Sequence, residues 1–151
     1  MSDVKVEVSA PRVWVVLAKA YKAMAGFVEQ HVSREGLGLT DFMVLEVLLH
    51  RGPLTISAIG EKILLANASM TSAIDRLEAK SLVQRTSNKG DRRIRLVTLT
   101  PGGKRFIAAI YERHEQQLEQ LMSGISAKER TAIHSSLKKI GLAAAAVNEH
   151  E

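Results

Sequence analysis

The chain has 151 residues, a net charge of +5 and no cysteine. This length is enough for one domain with a sizeable hydrophobic core. Without cysteine the chain has no disulfide framework, no thiolate metal site and no thiol redox sensor. Its longest early apolar run, residues 13–18, is too short for a signal peptide core or a bilayer span. These features predict a soluble protein of the cytoplasm.

Positive charge is concentrated in the middle third of the sequence. Residues 51–100 contain nine Lys and Arg against four Asp and Glu, whereas residues 1–50 contain five against six and residues 101–151 contain seven against six. A localised basic patch attracts a polyanion such as nucleic acid. Taken alone, this charge is explained equally well by chance clustering on a solvated surface.

The N-terminal part predicts a flexible arm followed by one long helix. Residues 1–10 form the arm. Over about 11–32, apolar side chains such as Val13, Leu17 and Met24 recur at helical spacing, which predicts the first helix.

A second helix is predicted from Thr40 to the Gly52-Pro53 pair. Thr40 suits the N-cap, and Asp41 lies in the first turn, where a negative charge is favourable. Glycine followed by proline ends the helical pattern.

Two short helices with a brief turn between them follow. Thr55 or Ser57 caps the first, over about 56–64, and residues 66–68 break the pattern before the second, over about 68–80. This arrangement is typical of a helix-turn-helix motif.

Two β-rich runs then flank a basic loop. Residues 82–87 and 94–99 are short and rich in residues that favour strands, and a turn-like Asn88-Lys89-Gly90 lies between them. The composition predicts a β-hairpin.

The C-terminal third predicts two helices. Thr100-Pro101 suits a helix start, and that helix should run to about residue 122. Ser126 and Glu129 have the spacing of a capping box that opens a last helix, over about 126–147. Its apolar residues are spaced as in a heptad seam: Ile133, Leu137, Ile140, Ala144 and Val147.

The fourth predicted helix has small hydroxyl side chains at its start. Such residues let DNA approach closely and form hydrogen bonds with phosphates or base edges, and a recognition helix places its N-terminal part in the major groove. Taken alone, an ordinary amphipathic helix is the more frequent explanation of this pattern. The candidate DNA-binding residues of this motif are Ser57, Asn67, Ser69, Thr71, Ser72 and Arg76.

The hairpin loop adds a second, independent indication of DNA binding. Lys89, Arg92, Arg93 and Arg95 lie at a tip that can extend from the domain, and an arginine there can enter the minor groove. Asp91 is predicted to pair with a nearby arginine and fix its direction. A helix-turn-helix followed by a basic hairpin is far more specific than either part.

At these residues the sequence resembles the MarR family of winged helix-turn-helix transcriptional regulators. The resemblance covers about residues 12–147. The segment GEKILLANASMTSAIDRLE is similar to that of repressors that respond to catechols and hydroquinones. The landmarks that carry the resemblance are Leu39-Thr40, Ile59-Gly60-Glu61, Arg76-Leu77-Glu78, Leu82-Val83-x-Arg85, Asp91-x-Arg93 and Leu99-Thr100-x-x-Gly103.

The resemblance implies a fold, a partner and a mode of regulation. The fold is mainly α with a small β-hairpin wing (α+β): a DNA-binding lobe at about 39–100 and dimerisation helices at about 11–32 and 101–147. The expected partners are double-stranded DNA with a pseudo-palindromic operator and a second copy of the chain. Many members are repressors released by small phenolic or aromatic ligands.

Ser81 departs from the family pattern, which has glycine at this position. Glycine suits a left-handed helix terminus, where serine costs about 1 kcal/mol. The sequence therefore predicts a left-handed Ser81 and a stabilising Ser81→Gly substitution.

No motif supports an enzyme, a cofactor or a metal site. The chain has no phosphate loop and no dinucleotide fingerprint, and its histidines are not at metal-ligand spacing. Ligand-binding residues are not identified, because core or dimer packing is the favoured interpretation of Trp14, Tyr21, Phe42 and His50. The alternative to a sequence-specific regulator is a winged helix that binds DNA without sequence preference or binds a protein partner.

Overall fold

The computed structural model describes residues 7–63 and 69–149. Within those residues the chain forms six helices and a two-stranded antiparallel sheet, which confirms the predicted fold class. The elements are α1 (Ala10–Ser33), α2 (Leu39–Arg51), α3 (Ile56–Lys62), α4 (Met70–Ala79), β1 (Val83–Ser87), β2 (Arg95–Leu99), α5 (Pro101–Leu121) and α6 (Ala127–Asn148).

Backbone contacts divide the chain into two compact units, Met1–His114 and Glu115–Glu151. The first unit has the hydrophobic core, with α2 and α4 at its centre. The helices contribute apolar side chains to this core at intervals of three or four residues, as expected for amphipathic helices. The largest fully buried side chains are Val32, Phe42, Val44, Leu45, Ile59, Ile74, Leu77, Val83, Val97 and Ile107.

The predicted start of α2 is wrong by one residue, and its predicted N-cap is wrong by two. Gly38 is the N-cap, and its carbonyl accepts a hydrogen bond from Phe42 N at 3.0 Å. Thr40 is therefore already inside the helix. Glycine serves as an N-cap almost as well as a hydroxyl residue, so threonine does not set the boundary. The predicted end is confirmed, since Gly52 caps α2 with φ 76°.

The two helices of the helix-turn-helix have the predicted order but are shorter. Thr55 caps α3 by accepting a hydrogen bond from Ala58 N at 3.1 Å, and Ser57 is not the cap. Helix α3 ends at Lys62 rather than 64, and Ser69 caps α4. The break predicted at 66–68 lies outside the described residues.

The hairpin has a partner that the sequence did not indicate. β1 and β2 pair with Val83 opposite Leu99 and Arg85 opposite Val97. Leu54, predicted only as an extended link, forms a bridge with Val97 through two backbone hydrogen bonds of 3.1 and 2.7 Å. This bridge attaches the hairpin to the segment between α2 and α3.

The start of α5 packs closely on the residues that precede β1. Thr100 Oγ1 donates to Ser81 O at 2.7 Å and accepts from Gly103 N at 2.9 Å. A Cβ atom on Gly103 would lie 1.9 Å from Leu82 O, so only glycine fits. These contacts give the Thr100-x-x-Gly103 landmark a physical reason. Ser81 has φ 58°, which confirms the predicted left-handed conformation.

In the second unit, Ser126 and Glu129 form the predicted capping box of α6. Glu129 Oε2 accepts from Ser126 N at 2.8 Å, and Ser126 Oγ accepts from Glu129 N at 3.2 Å. The bond from Ser126 lowers the pKa of the Glu129 carboxyl. Every residue of α6 except Arg130 is exposed in the single chain.

Candidate DNA-binding site

The start of α4 presents hydroxyl groups to solvent. Ser69, Thr71 and Ser72 are all exposed, and Ser69 Oγ also accepts a weak hydrogen bond from Ser72 N at 3.4 Å. Ser57 is exposed on α3. Asn67 lies outside the residues that the structure describes. Three of the predicted hydroxyl residues therefore lie together on one exposed turn.

Arg76 is held by a buried carboxylate. Its Nη2 lies 2.8 Å from Asp41 Oδ1 and its Nε donates to Asp41 Oδ2 at 3.4 Å. The Asp41 side chain is 6% exposed and the Arg76 side chain 50% exposed. The hydrogen bond with Asp41 raises the pKa of Arg76. The guanidinium is therefore shared between an internal ion pair and the surface of α4.

A second arginine joins the hairpin to α4. Arg85 on β1 donates to Asp75 Oδ1 and to Glu78 Oε1, each at 2.7 Å. Its backbone N also donates to Glu78 Oε2 at 3.2 Å. Hydrogen bonding to Asp75 raises the pKa of Arg85. These contacts fix the base of the hairpin relative to α4.

The tip of the hairpin contains the predicted aspartate–arginine pair. Asp91 Oδ1 accepts from Arg93 N at 2.9 Å and lies 3.5 Å from Arg93 Nε. The Arg93 side chain is 93% exposed. Asp91 therefore fixes the backbone at the tip and restrains the guanidinium of Arg93 at Nε. The rest of the guanidinium extends into solvent.

The remaining basic residues of the tip have no carboxylate at ion-pair distance within residues 7–63 and 69–149. Lys89, Arg92 and Arg95 are all exposed. An unneutralised cationic tip attracts phosphates. The structure thus places four exposed cations, Arg93 included, on one hairpin that is anchored to α4.

Sequence reasoning missed both carboxylate anchors. Asp41 was interpreted as a first-turn residue, and Asp75 and Glu78 were not paired with Arg85. The signal for Asp41 was its spacing from Leu45 and Leu48, which puts it on the buried side of α2. A charge on a buried face requires a partner.

The aromatic residues considered for a ligand do not form one group. Phe42 is fully buried and packs edge-on against His114, with ring centroids 5.0 Å apart, while His50 packs against Tyr111 at 4.6 Å. Trp14 is 67% exposed on α1. Burial, and to a lesser extent the charge of His31, lowers the pKa of His114. Phe42 is thus a core residue, as the favoured interpretation held.

Residues 7–63 and 69–149 contain neither a metal site nor a membrane-spanning helix. No group of three His, Cys, Asp or Glu side chains there is arranged to hold a metal ion. None of the helices there is both long enough and apolar enough to cross a membrane.

A helix-turn-helix with a basic β-hairpin anchored to its second helix defines a winged-helix protein. Residues 37–94 match the family model described as MarR family. The regulator MhqR of Bacillus subtilis is 34% identical over 131 residues, covering 87% of this chain and 90% of the relative. The chain therefore belongs to the MarR family of transcriptional regulators, and is not an enzyme.

Two further matches agree in fold and class. The repressor NicR of Pseudomonas putida is 30% identical over 125 residues, covering 83% of this chain and 79% of NicR. The structure of BpsR from Bordetella bronchiseptica, whose DNA binding is regulated by 6-hydroxynicotinic acid, superposes with a TM-score of 0.74 at 28% identity. That match covers 86% of this chain and 98% of BpsR.

Proposed function

We propose that the protein is a homodimeric repressor that binds a pseudo-palindromic operator in the cytoplasm. In this proposal the start of α4 enters the major groove and the hairpin tip enters the adjacent minor groove. The residues proposed to contact DNA, or to orient a side chain that does, are Ser57, Asn67, Ser69, Thr71, Ser72, Arg76, Lys89, Asp91, Arg92, Arg93 and Arg95.

One observation carries this proposal. The exposed hydroxyl turn of α4 and the exposed cationic tip belong to elements that Arg85 joins through two contacts of 2.7 Å. A groove-reading helix and a phosphate-binding hairpin need such a fixed relation to engage the same duplex. A cluster of exposed cations on one hairpin favours a polyanion such as DNA over a protein partner.

The proposed dimer is supported by apolar side chains that the single chain leaves in water. On α1, Trp14 and Val16 are 67% and 66% exposed; on α6, Leu137 and Ile140 are 42% and 44% exposed. Continuous apolar faces of this kind mark association surfaces. A two-fold dimer would present two copies of α4 to half-sites about one helical turn apart.

Release by a small aromatic or phenolic ligand is the regulatory part of the proposal. Its support is the regulation of BpsR by 6-hydroxynicotinic acid, together with the histidine and aromatic side chains where α2 meets α5 in this chain. Adding 6-hydroxynicotinic acid, catechol or hydroquinone to the protein–operator complex should release the DNA. If none of these compounds changes operator affinity, ligand release by this class is wrong.

Replacing Arg93 with alanine tests the assignment of the wing. Operator binding should weaken by about tenfold or more, since an arginine in the minor groove is lost, while the dimer stays intact. Affinity is measured by fluorescence anisotropy with an operator selected from random sequence. Lys139→Ala removes the same charge from α6 and should change affinity much less; equal affinities for wild type and Arg93→Ala would refute the wing assignment.

A further inference from the structure

Asp41 is an ionic side chain in an apolar environment. Its neighbours along α2 include Phe42, Val44 and Leu45, which are at most 1% exposed, and its own side chain is 6% exposed. Burying a carboxylate is costly unless it is paired and hydrogen-bonded. An apolar residue would fill this position at lower cost, so the carboxylate points to a role beyond packing.

Asp41 holds Arg76 at two points. The contacts of 2.8 Å to Nη2 and 3.4 Å to Nε use one edge of the guanidinium and fix its plane. Neither contact uses Nη1. Half of the Arg76 side chain remains exposed, so N–H groups are left to face solvent.

Arg76 lies on the same face of α4 as two residues of the hydroxyl turn. Ser72 is four positions earlier and Ser69 seven positions earlier, and residues at these intervals share one face of a helix. Arg76 therefore continues the proposed DNA-contacting face by one turn. Its guanidinium is already oriented before DNA arrives.

We propose that Asp41 is a positioning residue for DNA binding: it holds Arg76 so that the remaining N–H groups donate to an operator phosphate. The proposal rests on the proposed function. It repeats at α4 the arrangement of Asp91 and Arg93 at the hairpin tip, but with a buried anchor. A side chain fixed in advance loses less conformational entropy on binding, so the complex gains affinity.

The sign of the effect separates positioning from simple charge. Asp41→Asn removes a negative charge beside the proposed interface while keeping the shape of the side chain. If charge alone mattered, binding to the DNA polyanion would tighten. Positioning predicts the opposite, because Arg76 loses its anchor.

The experiment measures operator affinity against salt concentration for Asp41→Asn, Arg76→Gln and the double variant. Each single variant should weaken binding by about tenfold. Log affinity falls with log salt concentration, and each variant should make this negative slope shallower by about 0.9, the value for one phosphate contact. A merely structural role would leave the slope unchanged. The double variant should be no weaker than either single variant, since both changes remove one coupled interaction.

Several outcomes would overturn the proposal. Wild-type or tighter binding by Asp41→Asn shows that Arg76 acts without its anchor, and an unchanged salt slope for Arg76→Gln shows that Arg76 contacts no phosphate. If a single variant does not fold, wild-type affinity and an unchanged salt slope for the double variant, which buries no unpaired charge, would still refute the phosphate contact. Glu61→Gln, which removes an exposed carboxylate from α3, controls for net charge. Absence of operator binding by the wild type would instead refute the proposed function.

Discussion

The three arginines that carboxylates hold in the DNA-binding lobe differ in burial, and the energetic roles of their ion pairs differ accordingly. Arg93 at the tip is 93% exposed, so its pair with Asp91 contributes little to stability and serves orientation. Arg85 is only 22% exposed and has two carboxylate partners. Arg76 is held by a buried carboxylate, and breaking such a pair from one side is strongly destabilising.

Ser81 is the clearest single site for a gain in stability. It adopts φ 58°, a conformation that disfavours a Cβ atom, and its side chain is exposed. Ser81→Gly should raise the free energy of unfolding by about 1 kcal/mol, or Tm by about 2–4 °C. Ser81→Ala keeps the Cβ atom and should give no such gain. A thermal melt in which glycine gives no gain would contradict this account of Ser81.

The sequence predicted single residues well where the controlling contact is local. Asp91 and Arg93 are two positions apart, and the glycine of the family pattern at the end of α4 indicated the left-handed conformation of Ser81. The partners of Arg76 and Arg85 were not predicted, because Asp41 is 35 positions from Arg76 and Asp75 is on a different element from Arg85. Side-chain pairing across the fold has no local signature.

At the scale of elements, caps determined which boundaries were predictable. Thr55, Thr100 and Ser126 all accept hydrogen bonds from the first turn of their helices, as expected from their side chains. Helix α2 begins at a glycine cap with no side-chain hydrogen bond, so its start had no such signal. The bridge between Leu54 and Val97 also had no signal in the sequence, since two residues make no periodic pattern.

The packing of α5 on α2 should depend on pH through His114. Burial lowers its pKa, and the groups that face it are His31 on α1, Phe42 on α2 and Tyr111 on α5. The unfolded chain therefore binds a proton at a higher pH than the folded chain. Stability is fully present above the ordinary histidine pKa of 6.5 and is lost as the pH falls below it.

Comparing the wild type with His114→Phe isolates this effect. Phenylalanine keeps an aromatic contact with Phe42 but does not titrate. Between pH 7 and pH 5 the Tm of the wild type should fall further than that of the variant, by on the order of a few degrees. Glu46, whose pKa is raised by burial, titrates in both proteins and so cancels from the difference. Parallel pH profiles would show that His114 is not responsible.

For the whole molecule, the exposed apolar faces support the proposed dimer. The seam predicted on α6 is present as a row of solvent-exposed apolar residues, among them Ile133 at 48% and Val147 at 62%. The resemblance to the MarR family implied the fold class, and periodicity predicted this seam, because helical repeats are encoded locally. The geometry of the proposed dimer and the operator sequence are not encoded locally, since both depend on a second molecule.

Ile140→Glu should dissociate the proposed dimer. A carboxylate buried in an apolar seam costs about 3 kcal/mol or more, which lowers dimer affinity by about 100-fold or more. Sedimentation velocity measures the monomer fraction, and emission from Trp14 should shift to the red as that residue becomes exposed. Lys139→Glu introduces the same carboxylate beside the seam and should leave the dimer intact. Two variants with equal dimer affinity would place the interface elsewhere.

Selection from a randomised duplex pool tests the central claim most directly. The purified protein is incubated with the pool, and the retained DNA is amplified and sequenced. A homodimeric sequence-specific regulator should enrich an inverted repeat with half-sites about one helical turn apart. Retention of DNA without an enriched sequence, or no retention at all, would contradict the claim.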